Sequence, residues 1–278
     1  MNSLDLILSK IDNKYFNFVI SSLISLKHKV FERIFLNVSR LIFKNNKSNP
    51  KVSIYIPTYN RSSILFSKAI PSVLKQKFTD YELIIVGDRC TDDTESKIKK
   101  LNNDKIKFFN IHYKHKPMPY TKENLWMAGE VRAANFALKK AKGDWIARLD
   151  DDEEWMSENH LKEMLEFAKK SSFEMISASN QIIIDGKLKI DKGPKLISKY
   201  FDNLKTKSKY KDTNVGGHST WLYKSYLKFF KYNSQCWRKK INRVNDLDLI
   251  MRFLSAGVRI GFYDKPMTRI TQINRPDK

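Results

Sequence analysis

The spacing of apolar residues separates residues 1–49 from the rest of the chain. Apolar side chains there recur every three or four positions, with lysine and arginine between them, which predicts amphipathic helices. The repeating residues are Leu4, Ile7, Leu8 and Ile11, followed by Val30, Phe31, Ile34, Phe35, Val38, Leu41 and Ile42. The most apolar stretch, residues 15–26, is interrupted by Asn and Ser. It is too short to span a bilayer, which takes roughly 20 apolar residues.

Two interpretations of these helices stay open. In the first, they lie in the plane of a membrane, with apolar side chains in the interface and basic side chains against anionic lipids. In the second, they form a helical hairpin that packs on the main domain or on a partner chain. Residues 45–50, rich in Asn, Lys and Ser and ending in a proline, are typical of a linker.

From residue 51 onward, short β-rich runs alternate with helix-like runs. The predicted strands cover residues 52–56, 81–86, 105–112 and 144–149, and the predicted helices cover 61–76, 91–101 and 130–142, with a loop at 114–125. Pro71 is expected to interrupt the first of these helices. An alternation of this kind predicts an α/β fold: a parallel sheet with right-handed crossovers and helices on both faces.

The pattern after residue 154 is less regular. Helices are predicted at 155–170 and 246–256, strands at 173–184, 187–190 and 258–263, a turn at 185–186 and a lysine-rich loop at 197–214. Glu153 and Glu154 are expected to form the first turn of the helix at 155–170. The chain therefore divides into an N-terminal helical extension, residues 1–49, and one α/β domain, residues 50–278.

Five consecutive carboxylates, the acidic cluster of residues 150–154, directly follow the fourth predicted strand. Neighbouring carboxylates repel by about 4 kcal/mol per pair at an effective dielectric near 20, so a buried cluster needs a compensating cation. The alternative is a solvated acidic turn. Ligands bind at the carboxyl ends of parallel strands, where Thr58, Tyr59 and Asp88 are also expected. Carboxylate oxygens suit Mg²⁺ or Mn²⁺, which favours a site for a metal and a diphosphate.

The net charge of the chain limits the classes of molecule that it is expected to bind. Lys and Arg number 52 against 30 acidic residues, a net charge of +22. This charge implies an anionic partner: nucleic acid, an anionic membrane surface or a phosphorylated small molecule. The apolar fraction of 41% suffices for a globular core. Two cysteines, Cys90 and Cys236, are too few for a disulfide framework and favour a reducing, cytoplasmic setting.

Several motifs occur in the order and spacing of a known family. They are residues 52–61 (VSIYIPTYNR), 72–76 (SVLKQ), 81–94 (YELIIVGDRCTDDT), Ala134-Asn135, Gly143-Asp144, 149–152 (LDDD) and 245–249 (NDLDL) with Arg252, Gly257 and Ile260-Gly261. With these motifs, the chain resembles the family 2 glycosyltransferases from residue 51 to about residue 272. The resemblance implies the A-type glycosyltransferase (GT-A) fold, a nucleotide-sugar donor and inverting transfer.

The resemblance also implies a set of donor-binding residues. Asp88 would accept a hydrogen bond from a base N–H such as that of uracil, and Tyr59 would cover the base. Pro57 and Thr58 would supply backbone contacts. For Tyr59, ordinary packing is the alternative.

Metal binding and proton transfer are implied for four aspartates. Asp152 would bind a Mn²⁺ or Mg²⁺ ion that bridges the donor phosphates and acts as a Lewis acid. Asp151 is a second candidate metal ligand, and Asp151 or Asp150 would otherwise lie in the outer shell or on the ribose; the choice of direct ligand stays open. Asp246 matches the family's base, which takes the proton of the acceptor hydroxyl. Its alternatives are a base at Asp248, on a different helix face, or a purely dipole-stabilising role for Asp246.

The sequence departs from the family pattern in places. The family often has an acid where Gly87 stands, a glutamate where Asn245 stands and an arginine where Ala134 stands. Whether Arg132 substitutes for that arginine as a donor contact stays open. His218 falls where the family's acceptor-side loop is expected, and it contacts either the diphosphate or the acceptor, or is incidental.

The function implied by the resemblance is transfer of a sugar from a nucleotide-diphosphate sugar, with UDP preferred, to a glycan or lipid-linked saccharide in bacterial surface polysaccharide synthesis. Residues 50–155 would bind the donor and residues 156–278 the acceptor. Contact of residues 1–49 with the cytoplasmic face of the plasma membrane would explain the basic surface, with no nucleic acid as partner. The alternatives are a basic nucleic-acid-binding protein, suggested by the lysines and aromatics of residues 199–211, and a metal-dependent nucleotidyltransferase.

Overall fold

The computed structural model describes residues 13–43, 50–112, 121–184, 186–193, 214–240 and 243–271. The predicted helix at residues 4–11 and the linker residues 45–49 lie outside the described residues. So do residue 185 of the predicted turn and most of the predicted loops at 114–125 and 197–214.

The N-terminal helix, α1, is continuous from Lys14 to Ile42. It consists of Lys14–Lys27, a π-helical turn at His28–Glu32, and Arg33–Ile42. Asn13 caps it by accepting a hydrogen bond from the backbone N–H of Tyr15 at 3.0 Å. Between Lys14 and Ile42 the described residues form one helix without a hairpin turn. A hairpin with the predicted helix at residues 4–11 stays a prediction, because those residues lie outside the described ranges.

One narrow face of α1 contacts the α/β domain, and the broad apolar face is exposed. Leu36 is fully buried, and Arg40 forms an ion pair with Glu174 at 2.6 Å. The exposed apolar residues are Tyr15, Phe18, Val19, Leu23, Leu26, Val30, Phe31, Ile34, Phe35, Val38, Leu41 and Ile42. In the part of the chain that the structure describes, no helix combines the length and the apolar character needed to cross a bilayer.

Six further helices follow α1 in the described ranges, and each has at least seven residues when its segments are counted together. They are α2 (Ser62–Ile64, the π-helical turn Leu65–Ala69, and Ile70–Leu74), α3 (Thr94–Lys100), α4 (Lys122–Ala128), α5 (Val131–Lys140), α6 (His160–Lys170) and α7 (Asn245–Ala256). The irregularity expected at Pro71 is the π-helical turn just before it, since proline has no N–H for the regular ladder. Gly257, with φ of 89°, ends α7 in the left-handed conformation.

Nine strands among the described residues form one mixed sheet. They are β1 (Val52–Thr58), β2 (Tyr81–Asp88), β3 (Ile106–Ile111), β4 (Trp145–Arg148), β5 (Glu153–Trp155), β6 (Met175–Ile184), β7 (Lys187–Asp191), β8 (Leu222–Lys224) and β9 (Ile260–Thr271). Across the sheet the order is β3-β2-β1-β4-β8-β6-β9-β5, and β7 pairs with β6.

The predicted parallel sheet is confirmed for β1 to β4, which pair in parallel. Thr58 lies opposite Gly87 of β2, and Tyr55 lies opposite Arg148 of β4. The segments that follow β1, β2 and β4 therefore leave the sheet at one edge, called the carboxyl edge below. Beyond β4 the direction reverses, since β8 pairs antiparallel with both β4 and β6.

The prediction that Glu153 and Glu154 begin a helix is wrong. Both residues lie in β5, which pairs antiparallel with β9, so that Trp155 lies opposite Thr268. The following helix, α6, begins only at His160, whose ring stacks on that of Trp155 at 4.2 Å between centroids. Local spacing did not reveal this strand because its partner lies near the other end of the chain.

The sheet separates two apolar cores. Alternate residues of a strand point to opposite faces, so Tyr55 and Val86 enter the core under α5 and α7, whereas Ile54 and Ile85 enter the core under α2 and α6. Leu36 of α1 belongs to the first core. The carboxyl edge thus lies between two packed layers, which hold its loops in place.

Candidate active site

Thr58 and Arg61 hold Asp151, the second carboxylate of the acidic cluster. Thr58 Oγ1 donates to Asp151 Oδ2 at 2.8 Å, and Arg61 Nη1 donates to Asp151 Oδ1 at 2.6 Å. Burial raises the pKa of Asp151, although the Arg61 guanidinium and the Thr58 hydroxyl act in the opposite direction. Arg61 also pairs with Asp152 at 3.1 Å. Asp152 is the more accessible carboxylate of the two, with 21% of its side chain exposed against 7% for Asp151.

Arg148, the last residue of β4, compensates the first carboxylate of the cluster. The guanidinium is fully buried and packs over the rings of Tyr55 and Tyr232, at 5.9 and 5.4 Å from their centroids. Its Nε donates to Asp150 Oδ1 at 2.9 Å, and its Nη2 donates to Glu130 Oε2 at 2.5 Å. Arg148 therefore supplies part of the compensating positive charge beside the carboxylates.

Burial disfavours the ionised form of two acids of the acidic cluster, Asp150 and Glu153. Burial raises the pKa of Asp150 to about 7, and the nearby charges of Glu130 and Asp152 add to the shift while Arg148 opposes it. Burial, followed by the charge of Asp150, also raises the pKa of Glu153 well above its usual range. Carboxylates that remain partly protonated near neutral pH lose their protons when a cation approaches, so the cluster is suited to cation binding.

The loops after β1 and β2 interlock at the carboxyl edge. Asn60, with a positive φ of 50°, accepts a hydrogen bond from the backbone N–H of Thr91 at 2.7 Å. Tyr59, beside it, is 53% exposed, which leaves its ring available to a ligand and does not support ordinary packing. Asp88 ends β2 and pairs with Arg89 at 3.1 Å. Pro57 is buried within β1.

The glycine at position 87 has a steric reason. A Cβ atom there would lie 3.0 Å from both Asn110 Oδ1 and Cys90 Sγ, and 3.2 Å from the ring of Phe108. Asn110 Oδ1 is also the acceptor for the Cys90 N–H at 2.9 Å. A side chain at this position, such as the acid that the family often has, would therefore require the side chains of Asn110, Cys90 and Phe108 to shift.

Asp246 and Asp248 have different environments in α7. Asp246 is partly exposed, and its Oδ1 accepts from the N–H of Leu247 at 2.6 Å. Burial raises its pKa and the charge of Glu130 adds to the rise, while Arg148 opposes it. Asp248 is fully buried and pairs with Lys239 and, at 3.0 Å, with Arg252. Only Asp246 is accessible to a reacting hydroxyl, so the alternative base at Asp248 does not fit.

His218 is a packed residue. It lies nearly buried with its ring edge-on to Trp221, at 4.5 Å between centroids, and to Tyr232, at 5.7 Å. Burial and the charge of Arg148 hold its pKa well below the usual value, so the imidazole is neutral at pH 7. The next residue, Ser219, accepts from the Asp150 N–H at 2.9 Å and thereby supports the acidic cluster.

The sequence analysis missed Glu130, Arg148 and Arg61. Arg148 carried a signal, because a lone charge inside an otherwise apolar strand requires buried partners. The sequence around Glu130 contains no such signal, because Glu130 stands in the turn before α5. Arg132, a predicted donor contact, lies in the first turn of the same helix, and its role stays a prediction.

The residues at the carboxyl edge fit a metal held jointly with a diphosphate. Among the described residues, no group of three or more His, Cys, Asp or Glu side chains forms a complete metal site. Mg²⁺ and related ions are often held by one or two carboxylates plus substrate phosphates, and need no complete protein site. The accessible carboxylate of Asp152 fits this mode of metal binding. Its neighbour Asp150, whose pKa is raised, lies in the same cluster.

Comparisons with known proteins agree with this architecture. The model of glycosyl transferase family 2 matches residues 53–229, more than half of the chain. The GalNAc(5)-diNAcBac-PP-undecaprenol beta-1,3-glucosyltransferase of Campylobacter jejuni is 38% identical over 111 residues, which are 39% of this chain and 31% of that protein.

Two solved structures share the fold. Residues 1–349 of S. aureus TarS in complex with UDP-GlcNAc align with a TM-score of 0.56 and 19% identity, over 81% of this chain and 59% of that chain. The mannosyltransferase PcManGT from Pyrobaculum calidifontis in complex with GDP-Man and Mn²⁺ aligns with a TM-score of 0.54 and 12% identity, over 95% of this chain and 69% of that chain.

The likeness to the curated relatives is partial in length, since the matched segments span less than half of the first of them. The family match, however, runs in one continuous segment from the second residue of β1 through β8 and includes the acidic cluster. Together with the GT-A-like sheet, it shows that the chain belongs to glycosyl transferase family 2.

Proposed function

We propose that the protein is an inverting glycosyltransferase that moves a sugar from a UDP-sugar to a lipid-linked saccharide in bacterial surface polysaccharide synthesis. The observation that carries the proposal is a connected series of residues along the carboxyl edge. Thr58 binds Asp151, the chain neighbour of Asp150. Asp150 binds Arg148, and Glu130 joins Arg148 to Asn245, the residue before Asp246. A donor side and an acceptor side are thereby held in one site.

The donor would bind in the half formed by residues 50–155. The exposed ring of Tyr59 would cover the base, Asp88 would accept from a base N–H, and Pro57 and Thr58 would line the loop. The preference for UDP comes from the family resemblance and agrees with the TarS complex with UDP-GlcNAc, while PcManGT, of the same fold, is in complex with GDP-Man. The family match favours sugar transfer over nucleic-acid binding and nucleotidyl transfer.

The divalent metal would be held by Asp152, with Asp151 fixed behind it by Thr58 and Arg61. When bound, Mn²⁺ or Mg²⁺ supplies Lewis-acid stabilisation of the charge on the departing diphosphate. Arg61 is 37% exposed and would turn from Asp152 toward the diphosphate while it keeps its pair with Asp151. Asp150 would hold the ribose or the outer shell of the metal, and Arg132 is a further donor contact.

Asp246 would act as the general base. In inverting transfer, the base removes the proton of the acceptor hydroxyl as the glycosidic bond forms on the face opposite the leaving group. A raised pKa suits this step, because a stronger base takes the proton more readily while it remains ionised at working pH. The acceptor would lie in the half formed by residues 156–278.

A thermal-shift screen of nucleotide sugars, with and without Mn²⁺, tests the donor proposal. A ligand at a hundred times its dissociation constant stabilises the protein by about 2.7 kcal/mol. We expect a metal-dependent rise in Tm with UDP-sugars, which Asp152→Asn abolishes. The absence of a rise with every nucleotide sugar in the wild-type protein would contradict the proposal.

We also propose that the protein is peripheral to the cytoplasmic face of the membrane through α1. The exposed apolar face of α1 carries basic residues beside it, and Lys14, Lys27 and Arg33 are all exposed. Glu32, the one acid of α1, is turned inward. An exposed apolar face flanked by cations suits an anionic lipid surface. Two buried, unpaired cysteines suit a reducing compartment.

Vesicle binding tests this contact. The triple variant Phe18→Ser, Leu23→Ser, Leu41→Ser should bind phosphatidylglycerol vesicles at least about tenfold more weakly than wild type, because each buried side chain contributes on the order of 1.5–3 kcal/mol. Leu188→Ser, at an equally exposed position on β7, is the matched control. Deletion of residues 1–44 is a poorer test, since it also removes the buried Leu36. Wild-type binding by the triple variant would refute the contact.

A further inference from the structure

Glu130 lies at the junction between the donor side and the acceptor side of the candidate site. Its Oε2 accepts from Arg148 Nη2 at 2.5 Å, and its Oε1 accepts from Asn245 Nδ2 at 3.2 Å. Arg148 donates in turn to Asp150 of the acidic cluster, whereas Asn245 precedes Asp246 in the first turn of α7. Glu130 therefore connects the loop after β4 with the helix that carries the proposed base.

Further hydrogen bonds hold the main chain of Glu130 and the side chain of its partner Asn245 in place. Its backbone carbonyl accepts from the N–H of Ala134 at 3.0 Å, which fixes its main chain at the start of α5. Asn245 is 2% exposed, and its Nδ2 also donates to the carbonyl oxygen of Met127 at 3.0 Å. The amide is thus oriented with its donor group toward Glu130, and a shift of Glu130 would displace the first turn of α7.

Glu130 also contributes to the charge around Asp246. Among the described residues, the charged groups that act on Asp246 from other elements are Glu130 before α5 and Arg148 of β4, with opposite signs. The thiol of Cys236 faces the same region but is neutral, since burial raises its pKa to about 12. On α7 itself, Asp248 is turned away to Lys239 and Arg252. Arg148 already has the larger effect at Asp246, and without Glu130 its positive charge would act there without that opposing negative charge.

We propose that Glu130 is a positioning residue for the reaction: by binding Arg148 and Asn245 at once, it fixes Asp246 relative to the acidic cluster and balances the charge of Arg148. This inference rests on the proposed function. Glu130 is not itself a proton acceptor in the reaction, because its two oxygens are engaged by Arg148 and Asn245. Its effect is on the geometry and the basicity of Asp246.

The proposal predicts different effects for two substitutions of Glu130. Glu130→Gln keeps the length of the side chain but removes its charge, and it should lower kcat by roughly tenfold or more, a part of the 10²- to 10⁴-fold that a general base contributes. The acidic limb of the pH profile of kcat/KM for the acceptor should move to lower pH, because Arg148 then stabilises the ionised form of Asp246. KM for the donor should change little.

Glu130→Asp keeps the charge but shortens the reach to Arg148 and Asn245. It should lower kcat while leaving the acidic limb near its wild-type position. Glu123→Gln is the matched control, because Glu123 also pairs with an arginine, Arg243 at 2.9 Å, but is largely exposed. The control should keep the wild-type kcat and pH profile.

The outcomes separate the inference from the proposed function. If the wild-type protein transfers sugar and Glu130→Gln matches it in kcat and in pH profile, Glu130 has no positioning role and the proposed function stands. If wild type releases no nucleoside diphosphate with any donor, the proposed function itself fails. Should Glu130→Gln not fold, as judged by circular dichroism, Glu130→Asp decides: a wild-type kcat overturns the inference, and a reduced kcat with an unmoved acidic limb supports it.

Discussion

Arg252 and Arg148 are both nearly fully buried, and each binds two carboxylates, yet the two guanidinium groups are satisfied to different degrees. Arg252 Nε donates to both oxygens of Glu32, at 2.9 and 3.1 Å, and Nη1 donates to Asp248 at 3.0 Å. Its Nη1 and Nη2 also reach backbone carbonyl oxygens of the segment before α7. Every nitrogen of this guanidinium therefore has a partner.

Arg148 is incompletely satisfied. Its Nε and Nη2 donate to Asp150 and Glu130, whereas its buried Nη1 has no hydrogen-bond partner among the described residues. The carboxylates that it binds are also more accessible: 35% of the Glu130 side chain and 28% of the Asp150 side chain are exposed.

The difference separates a structural cluster from a reactive one. The Arg252 cluster is closed to solvent and joins α1 to α7, so its loss should affect stability first. The Arg148 cluster is the more accessible of the two and includes Asp150, whose pKa burial raises to about 7; an accessible acid of this kind is expected where charge changes during a reaction. Variants of the two clusters should therefore separate activity from stability.

The largest expected effect is on activity. Asp152→Asn should reduce transfer by roughly 10²-fold or more, because the charge that forms on the leaving group loses its stabilisation. Metal-dependent binding of UDP-sugar, measured by calorimetry, should disappear with it, while Tm changes little. Glu154→Gln, in the same acidic cluster but paired with Arg269, is the control and should keep donor binding. A fully active Asp152→Asn would remove the metal assignment.

The next effect is on stability. Arg252→Met leaves the buried carboxylates of Glu32 and Asp248 without their cation, and it should lower the free energy of unfolding by about 3–5 kcal/mol. Arg40→Met, which removes a second ion pair between α1 and the domain, should cost less, about 1–2 kcal/mol, because Glu174 keeps Arg259. Denaturant unfolding measures both. An equal loss of unfolding free energy in the two variants would show that the Arg252 cluster stabilises the protein no more than the ion pair of Arg40 does.

The smallest effect concerns pH. Burial and the neighbouring charge of Arg252 lower the pKa of His28, in the π-helical turn of α1, to about 4. The unfolded chain therefore binds more protons than the folded chain between pH 6.5 and pH 4, and stability falls as pH falls through this window. The loss from pH 7 to pH 5 should be about 1–2 kcal/mol, allowing for partial exposure. His28→Gln should flatten this dependence, and an unchanged slope would exclude His28 as its source.

The sequence predicted the region from β1 to β4 well, because its signals are local. Strand-forming runs, helix periodicity and the polar residues at the strand ends all lie within short windows, and these placed Thr58, Asp88 and the acidic cluster at one edge. The GT-A-like fold that the resemblance implied is confirmed. The steric reason for Gly87, by contrast, required the position of Asn110 on a neighbouring strand.

The remainder depends on contacts between residues far apart in sequence. β5 forms only because β9 pairs with it, and α1 is held by Glu32 and Arg40, whose partners lie in α7 and next to β6. Arg148 and Arg61 supply part of the positive charge around the acidic cluster from separate elements, and a count of charges within the cluster did not include them. Such pairings are set by the three-dimensional fold and leave no periodic trace in the sequence.

The most direct test of the central claim, sugar transfer with Asp246 as base, is the product analysis of wild type and Asp246→Asn with a labelled UDP-sugar and an undecaprenyl-diphosphate-linked saccharide. We expect wild type to release one UDP for each sugar transferred. Asp246→Asn should bind the donor with unchanged affinity but turn over roughly 10²- to 10⁴-fold more slowly. Release of pyrophosphate instead of UDP, or normal turnover by Asp246→Asn, would contradict the claim.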